Sequence, residues 1–293
     1  MKAYKKWLYL LVFAFIFTFT SFYIELNSKT EESFTYFPPD PAARYNSGYT
    51  TLTLGNKSDD GPYQLTWKSQ SALDQKAIYR QDVSLLYEGG LLKGKMAEWK
   101  QNVSNLMQES TLFFQDSQLI QAVGFHFSEI HRGEKIGGAQ KLSGDFIYVI
   151  DSKFSPFKSF RHPENEEDEK WKHTLDQVTK DRLTKSWNTA IQRYGIPKER
   201  FDSYTLFQLT QYNDQPLPGF TLLETKKLTG RLWEGLYKNY LLGIRKSDGS
   251  TEDAMDSVLP LILIAKDKTH LFVVTETKSG ESIILRQQLD LTH

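Results

Sequence analysis

The chain has 293 residues, with 36 basic and 36 acidic side chains, 39% hydrophobic residues and 14% aromatic residues. The balanced charge provides no basic field and argues against a nucleic-acid partner, while the apolar content argues against a disordered chain. The chain contains no cysteine, which excludes disulfides and lipoprotein processing and, in an exported protein, favours a bacterial cell envelope.

The first element is an apolar, uncharged run over residues 7–24, preceded by three lysines in residues 1–6. At about 1.5 Å per residue this helix would be roughly 27 Å long, close to the ~30 Å hydrocarbon core of a bilayer. The lysines place residues 1–6 in the cytoplasm and the chain after Glu25 outside. The alternatives are a buried helix of a soluble protein and a cleaved secretory signal, which has a shorter core and a small-residue cleavage site. The sequence predicts an uncleaved single-pass anchor at 7–24.

Residues 25–48 carry charge, three prolines and no apolar period, and we expect them to form a linker. Six short runs rich in aromatic and β-branched residues follow between residues 49 and 160. They are YTTLTLG, YQLTWKS, DVSLLYEGG, STLFFQ, LIQAVGFHFSEI and GDFIYVID. Because Gly, Asn, Asp and Ser separate them, these runs predict antiparallel hairpins.

A helix is predicted over about 163–195, because Pro163 and several acidic residues mark its start and Gly195 and Pro197 mark its end. Its apolar residues form two groups about 140° apart on a helical wheel. The groups are Trp171, Leu175 and Val178, then Leu183, Trp187, Ala190, Ile191 and Tyr194. Either the helix breaks or kinks near residues 179–181, or one straight helix is covered on two sides.

The last hundred residues favour strands again, in SYTLFQLTQY, GFTLLETK, GLYKNYLLGIRK and the meander LPLILIAKDKTHLFVVTETKSGESIILRQQL. The meander has polar turns at 266–268 and 278–280. The predicted fold class is α+β, with an antiparallel β region at 49–160 and a helix plus a second antiparallel β region at 161–293. The sequence leaves open whether 49–293 is one domain or two that divide near residue 160.

The stretch VGFHFSEIHRGE brings two histidines close together, but five residues apart instead of the four that a zinc-binding helix uses. On a strand this odd spacing places His126 and His131 on opposite faces. Glu129 then shares a face with His131, and Ser128 shares a face with His126. We therefore predict no metal site. Glu129 and His131 are candidates for a general acid/base site, although no other feature of the sequence supports that role.

Three triplets follow the order of the penicillin-binding protein motifs: Ser155-x-x-Lys158, Ser186-x-Asn188 and Lys278-Ser279-Gly280. Their predicted settings do not fit, because the second lies within a helix and the third at a hairpin tip. The acidic run 164–169 lacks the alternating ligands of a calcium-binding loop. No glycine-rich phosphate-binding motif occurs, so no cofactor is predicted.

The functional expectation is a single-pass, extracytoplasmic binding protein that acts as a sensor, regulator or assembly subunit of the bacterial envelope. Its expected partner is another membrane or envelope protein. The alternative is an envelope hydrolase or transferase that acts on wall polymer and uses carboxylate and histidine acid/base groups such as Glu129 and His131. A third interpretation is capture of a ligand or peptide between the two sheet regions.

Overall fold

The first half of the chain forms one curled antiparallel sheet in the computed structural model, which describes residues 35–57, 61–246 and 248–291. Its strands are β1 (Tyr45–Lys57), β2 (Tyr63–Glu88), β3 (Leu91–Phe114), β4 (Gln118–Arg132), β5 (Lys135–Ser152) and β6 (Ser155–Phe160). Strand β3 pairs along one edge of β2, whereas β1 and β4 share the other edge. Strand β5 pairs with β4, and β6 pairs with β5. The predicted antiparallel hairpins are confirmed.

The curl of the sheet arises in β2, which joins two of the predicted strands into one of 26 residues. Its register against β3 shifts between Ala72 and Ala77, and such a bulge bends a strand and increases its twist. Before the bulge β2 pairs with β1, and after it with β4. Strand β1 thereby comes to lie beside β5, where the Leu52 N–H donates to Asp145 Oδ2 at 2.8 Å. The sheet thus wraps around a single interior.

The interior of the curled sheet is apolar at one end and polar at the other. Along the inner face of β2, Tyr63, Leu65 and Trp67 are buried in an apolar cluster, and Ser69 and Ser71 continue the same alternation as buried hydroxyls. Burying polar groups costs free energy unless they are hydrogen-bonded. The polar end is therefore the part of the core that packing alone does not explain.

The predicted helix is present as α1 (Glu166–Arg193), and its N-cap Asn165 accepts from the Asp168 N–H at 3.0 Å. The helix is continuous and is covered on two sides, which decides between the two predicted alternatives. Near its start, Leu175 packs against the first sheet in a cluster with Leu119, Tyr148 and Ile150. Near its end, Ala190 and Ile191 pack against a second sheet in a cluster with Leu261, Leu263 and Val274.

The second sheet follows α1 and has the order β12-β11-β10-β7. Its strands are β7 (Phe201–Thr205), β10 (Leu261–Ala265), β11 (His270–Glu276) and β12 (Ser282–Gln288), and a separate short pair consists of β8 (Ile244–Arg245) and β9 (Thr251–Glu252). The predicted C-terminal meander is confirmed, with its turns between β10, β11 and β12. Contacts group Tyr36–His293 into one compact unit.

Two predicted strands are wrong, because GFTLLETK and most of GLYKNYLLGIRK belong to helix α2 (Leu222–Leu236) and a π-helical turn over Tyr237–Leu241. A capping box starts the helix: the Thr221 hydroxyl accepts from the Glu224 N–H at 3.1 Å, and the Glu224 carboxylate accepts from the Thr221 N–H at 2.6 Å. On its buried face Trp233 stacks on Phe125 of β4, with ring centroids 5.2 Å apart. The predicted strand SYTLFQLTQY is also too long, since β7 ends at Thr205 and a 3-10 turn follows.

The predicted linker 25–48 ends too late, because its last part belongs to the folded region. Tyr36 is buried, the Gly138 N–H donates to Pro38 O and the Asp40 N–H donates to Gly138 O. We call residues 36–44 the strap. The predicted anchor at 7–24 and the linker up to residue 34 lie outside the described residues. Among the helices that are described, none is both long and apolar enough to cross a bilayer.

The carboxylate of Asp256 connects β3 to the turn between β11 and β12. It accepts from Lys93 Nζ at 2.7 Å and from Lys278 Nζ at 2.8 Å, and these ammonium groups hold the pKa of Asp256 below its usual range. A carboxyl group with a lowered folded-state pKa stabilises the fold above its unfolded pKa of about 3.9, and that stabilisation is lost as pH falls through the folded pKa.

We expect Asp256→Asn to lower the free energy of unfolding at pH 7 by less than about 1 kcal/mol, because the ion pairs are partly exposed. The variant and the parent should approach equal stability as pH falls through the lowered folded-state pKa of Asp256, since both side chains are then neutral. Asparagine also tolerates the positive φ of 64° at this position. Urea titrations at pH 7 and at successively lower pH measure the difference, and a loss that stays constant as pH falls would contradict this role of the charge.

Candidate functional site

The two site residues predicted from the sequence lie together near the end of β4. His131 Nε2 is hydrogen-bonded to Glu129 Oε1, and both side chains are partly exposed. His126 and Ser128 are on the opposite face and fully buried. The predicted division of faces is confirmed, and a catalytic role of Glu129 and His131 stays a prediction. The described residues contain no group of three or more His, Asp or Glu side chains that could hold a metal ion.

A continuous row of polar side chains crosses the polar end of the interior. His126 Nδ1 lies 2.6 Å from Asp82 Oδ2, and His126 Nε2 lies 2.9 Å from Ser143 Oγ. The row ends at Thr50, whose hydroxyl is 2.7 Å from Ser143 Oγ. We call Asp82, His126 and Ser143 the Asp–His–Ser row. Because a carboxylate only accepts, Nδ1 donates to Asp82, and in the neutral imidazole Nε2 accepts from the Ser143 hydroxyl.

Strand register positions each member of the row. Asp82 and His126 are direct cross-strand partners on β2 and β4, and Ser143 on β5 lies opposite Gly124 of β4. Gly124 is required there, because an added Cβ would lie 2.5 Å from Thr50 Oγ1 and 2.6 Å from Ser143 Oγ. The Thr50 and Ser143 hydroxyls thus occupy the space next to the His126 imidazole that a side chain at position 124 would fill.

The buried guanidinium of Arg80 lies next to the Asp82 carboxylate of the row. Arg80 and Asp82 are both fully buried, and Arg80 Nη2 lies 3.6 Å from Asp82 Oδ1. Ser71 connects the two, since it accepts from Arg80 Nη2 and donates to Asp82 Oδ2 at 2.6 Å. The guanidinium also stacks on Tyr45, with its carbon 5.0 Å from the ring centroid. This pairing compensates a carboxylate that would otherwise be very costly to bury.

The Ser143 end of the row reaches the surface at a seam between β1 and β5, where no backbone ladder joins the two described strands. Asp145 and Arg161 bridge the seam: Arg161 donates to both carboxylate oxygens, at 2.9 and 2.7 Å, and to Leu52 O at 2.7 Å. A recess of about 410 Å³ opens there, lined by residues that include Thr50, Ser143 and Gly144. Asp82 is thus fully buried, and Ser143 borders the recess with 8% of its surface exposed.

A larger cleft of about 560 Å³ lies between the strap, β5 and the start of α2, and we call it the strap cleft. Leu222 and Leu223 are exposed at its helical wall. Three cationic side chains also line it, Arg44, Lys141 and Lys226, and none of them has an ion-pair partner among the residues that the structure describes. Of its carboxylates, Asp40 is paired with Arg132 at 2.7 Å, and Asp214 also lines the cleft.

Two of the three penicillin-binding-like triplets, the first and the third, are held by different carboxylates. Ser155 donates to Glu167 at 2.7 Å, Lys158 donates to Asp168 at 2.6 Å and Lys278 donates to Asp256. These contacts are hydrogen bonds and ion pairs that stabilise the start of α1 and a hairpin turn.

Sequence analysis did not identify Asp82 or Ser143 as site residues. It treated His126 as an ordinary polar position of a strand. One available signal was the inner alternation of β2 and β4, in which serine, aspartate and histidine replace apolar residues. No protein-family model, no curated protein and no solved structure matches this chain.

Proposed function

We propose that this chain is a membrane-anchored, extracytoplasmic binding protein of the bacterial envelope, and that its strap cleft holds an acidic, partly apolar segment of another envelope protein. The anchor and its orientation rest on the apolar run at 7–24 and the lysines before it. The observation that carries the binding role is the strap cleft, with three cations lacking ion-pair partners in the described structure beside two exposed leucines.

The cleft has the composition of a recognition site. Exposed leucines provide apolar area, since burying a leucine fully is worth about 1.5–3 kcal/mol. The cations supply attraction to an acidic segment and speed its association. Because Asp40 is already neutralised by Arg132, the described lining of the cleft is left with three cations against the single carboxylate of Asp214.

A direct test uses a fluorescein-labelled ten-residue peptide of alternating Glu and Leu, with binding to the full-length chain followed by anisotropy. We expect Lys141→Glu/Lys226→Glu to weaken binding about tenfold, which corresponds to two exposed ion pairs of about 0.7 kcal/mol each. Binding of the parent should fall with added salt. The matched control, Lys180→Glu/Lys185→Glu, reverses two exposed lysines of α1. Equal binding by both double variants would refute the cleft as the site.

In cells, a photo-crosslinking amino acid at position 223 tests the same cleft with the anchor retained. Leu223 and Val178 are almost equally exposed, at 53% and 52%, so position 178 on α1 is the control. We expect a membrane-protein adduct from position 223 that is lost with Lys141→Glu/Lys226→Glu and is absent from position 178. An adduct from position 223 that persists with Lys141→Glu/Lys226→Glu would contradict the proposed recognition of an acidic segment by the strap cleft.

The orientation is tested by fusing alkaline phosphatase or a fluorescent protein to the C-terminus. Alkaline phosphatase is active only after export, so we expect phosphatase activity from that fusion. Fluorescence only from the interior of the cell would refute the extracytoplasmic assignment.

A further inference from the structure

We propose that Ser143 is a nucleophile, activated by His126 and Asp82, that accepts an acyl group from an ester at the seam between β1 and β5. The observation is the juxtaposition of the Asp–His–Ser row with a surface recess. This activity does not depend on the strap cleft, which lies on other residues of β5 and on α2.

The distances are those of an activated serine. A serine hydroxyl is a weak nucleophile unless a base within about 2.6–3.2 Å takes its proton and a third group orients that base. His126 Nε2 is 2.9 Å from Ser143 Oγ, and His126 Nδ1 is 2.6 Å from Asp82 Oδ2. The carboxylate fixes the tautomer in which Nε2 faces the hydroxyl, so the base and its orienting group are both in place.

The recess lies against the buried Ser143 side chain and provides a position for the developing negative charge. Ser143 borders the recess together with Thr50 and Gly144. The Thr50 hydroxyl, 2.7 Å from Ser143 Oγ, can donate to an oxyanion formed beside it. The Gly144 N–H is the second donor, since strand alternation directs it away from β4, as the Leu142 N–H is directed toward Asn213 Oδ1 at 2.7 Å.

The reaction runs in two balanced halves. Ser143 Oγ attacks the ester carbonyl and passes its proton to His126 Nε2; the bond from carbonyl carbon to alkoxy oxygen breaks, and the alcohol leaves with that proton. Water then attacks the acyl-serine and passes a proton to Nε2, which returns it to Ser143 Oγ as the carboxylic acid is released. No electron acceptor or donor is consumed.

Arg80 and Ser71 act as positioning residues. Both contact the Asp82 side chain, and they hold its carboxylate against the imidazole. Preorganised groups of this kind fix the geometry of a reactive pair. A row that served packing alone would need no opening, whereas this one ends at the recess.

The experiment uses the full-length chain in detergent micelles and a fluorophosphonate–biotin probe, with the modified residue located by mass spectrometry. We expect one adduct, on Ser143, and its complete loss in Ser143→Ala. His126→Gln should slow labelling at least about 100-fold, the contribution of a general base. The control Ser155→Ala removes a hydroxyl bonded to Glu167, and it should label at the parental rate.

A second measurement tests the proposal even if Ser143→Ala or His126→Gln folds poorly. Because the chain has no cysteine, Ser143→Cys carries a unique thiol. In the folded protein we expect iodoacetamide to alkylate it well below pH 8, where an isolated thiol is largely protonated, and Ser155→Cys to require higher pH. If native protein gives no fluorophosphonate adduct at Ser143 and the Ser143→Cys thiol reacts only after unfolding, the proposal is wrong and the row is purely structural.

Discussion

Replacing Arg80 with methionine is expected to lower the free energy of unfolding by about 3–5 kcal/mol. Methionine fills similar volume, so the loss comes from charge instead of a cavity. Without the guanidinium, the fully buried Asp82 carboxylate retains only Ser71 and His126 as side-chain partners. Ser104 O also loses the donor that Arg80 Nη1 supplies.

A double-mutant cycle separates the charge pair from its surroundings. In Asp82→Asn the amide oxygen can still accept from His126, while the negative charge is gone. Arg80→Met should therefore cost less in the Asp82→Asn background, by about 1–3 kcal/mol of coupling. Urea unfolding followed by tryptophan fluorescence measures all four proteins, because Trp67 and Trp233 are buried and change environment on unfolding.

The matched control is an exposed ion pair. Lys172 and Asp176 are bonded at 2.6 Å on the surface of α1, with more than a third of each side chain exposed, so Lys172→Met should change stability by less than about 0.5 kcal/mol. If Arg80→Met cost no more than Lys172→Met, the guanidinium would not be compensating Asp82. The electrostatic account of the polar end would then fail.

The sequence predicted those elements whose signals are local. Acidic residues and Pro163 marked the start of α1, and polar turns separated the strands of the C-terminal meander. Alternation alone divided the faces of β4, with His126 inside and His131 outside. Each of these signals lies within a few residues of the feature that it specifies, so no tertiary information was needed.

Helix α2 was missed because short apolar runs fit either a strand or a helix. Its capping box, Thr221-x-x-Glu224, was present in the sequence and would have favoured the helix. The pattern of Leu228, Leu232, Trp233 and Leu236, three and four residues apart, also has a helical period. The sequence of α2 therefore contained a local helical signal, but the segment was interpreted as a strand.

The Asp–His–Ser row could not be predicted from local patterns. His126 is 44 residues from Asp82 and 17 residues from Ser143, and the register of three strands brings them together. That register depends on the shift between Ala72 and Ala77 in β2. Since a shift by one residue exchanges the two faces of a strand, the row exists only when the bulge is placed correctly.

Replacing Gly230 with alanine is the second substitution with a large expected effect, and we expect it to destabilise the protein by about 2–4 kcal/mol. Alanine normally stabilises a helix interior by about 1 kcal/mol relative to glycine. Here its Cβ would lie 2.0 Å from Tyr36 Cε2 and 2.6 Å from Gln140 Oε1. The buried Tyr36 ring must therefore leave its site against Phe127 and Arg231. Because Tyr36 begins the strap, its loss should open the strap to proteolysis and abolish acidic-peptide binding.

Gly235 provides the matched control on the same helix. A Cβ at Gly235 meets the end of the Gln287 side chain, with Oε1 at 2.7 Å, and a flexible side chain can move away. Gly235→Ala should thus leave stability unchanged or slightly raised, with the strap protected and binding retained. In a Tyr36→Ala background the ring is absent and only the close contact with Gln140 Oε1 remains among those named, so Gly230→Ala should cost less than in the parent. Full additivity of those two substitutions, measured by urea unfolding, would show that Gly230 does not hold the strap through Tyr36. The strap cleft would then owe its shape to the other contacts of the strap, which include the pairing of Pro38 and Asp40 with Gly138 and the ion pair of Asp40 with Arg132.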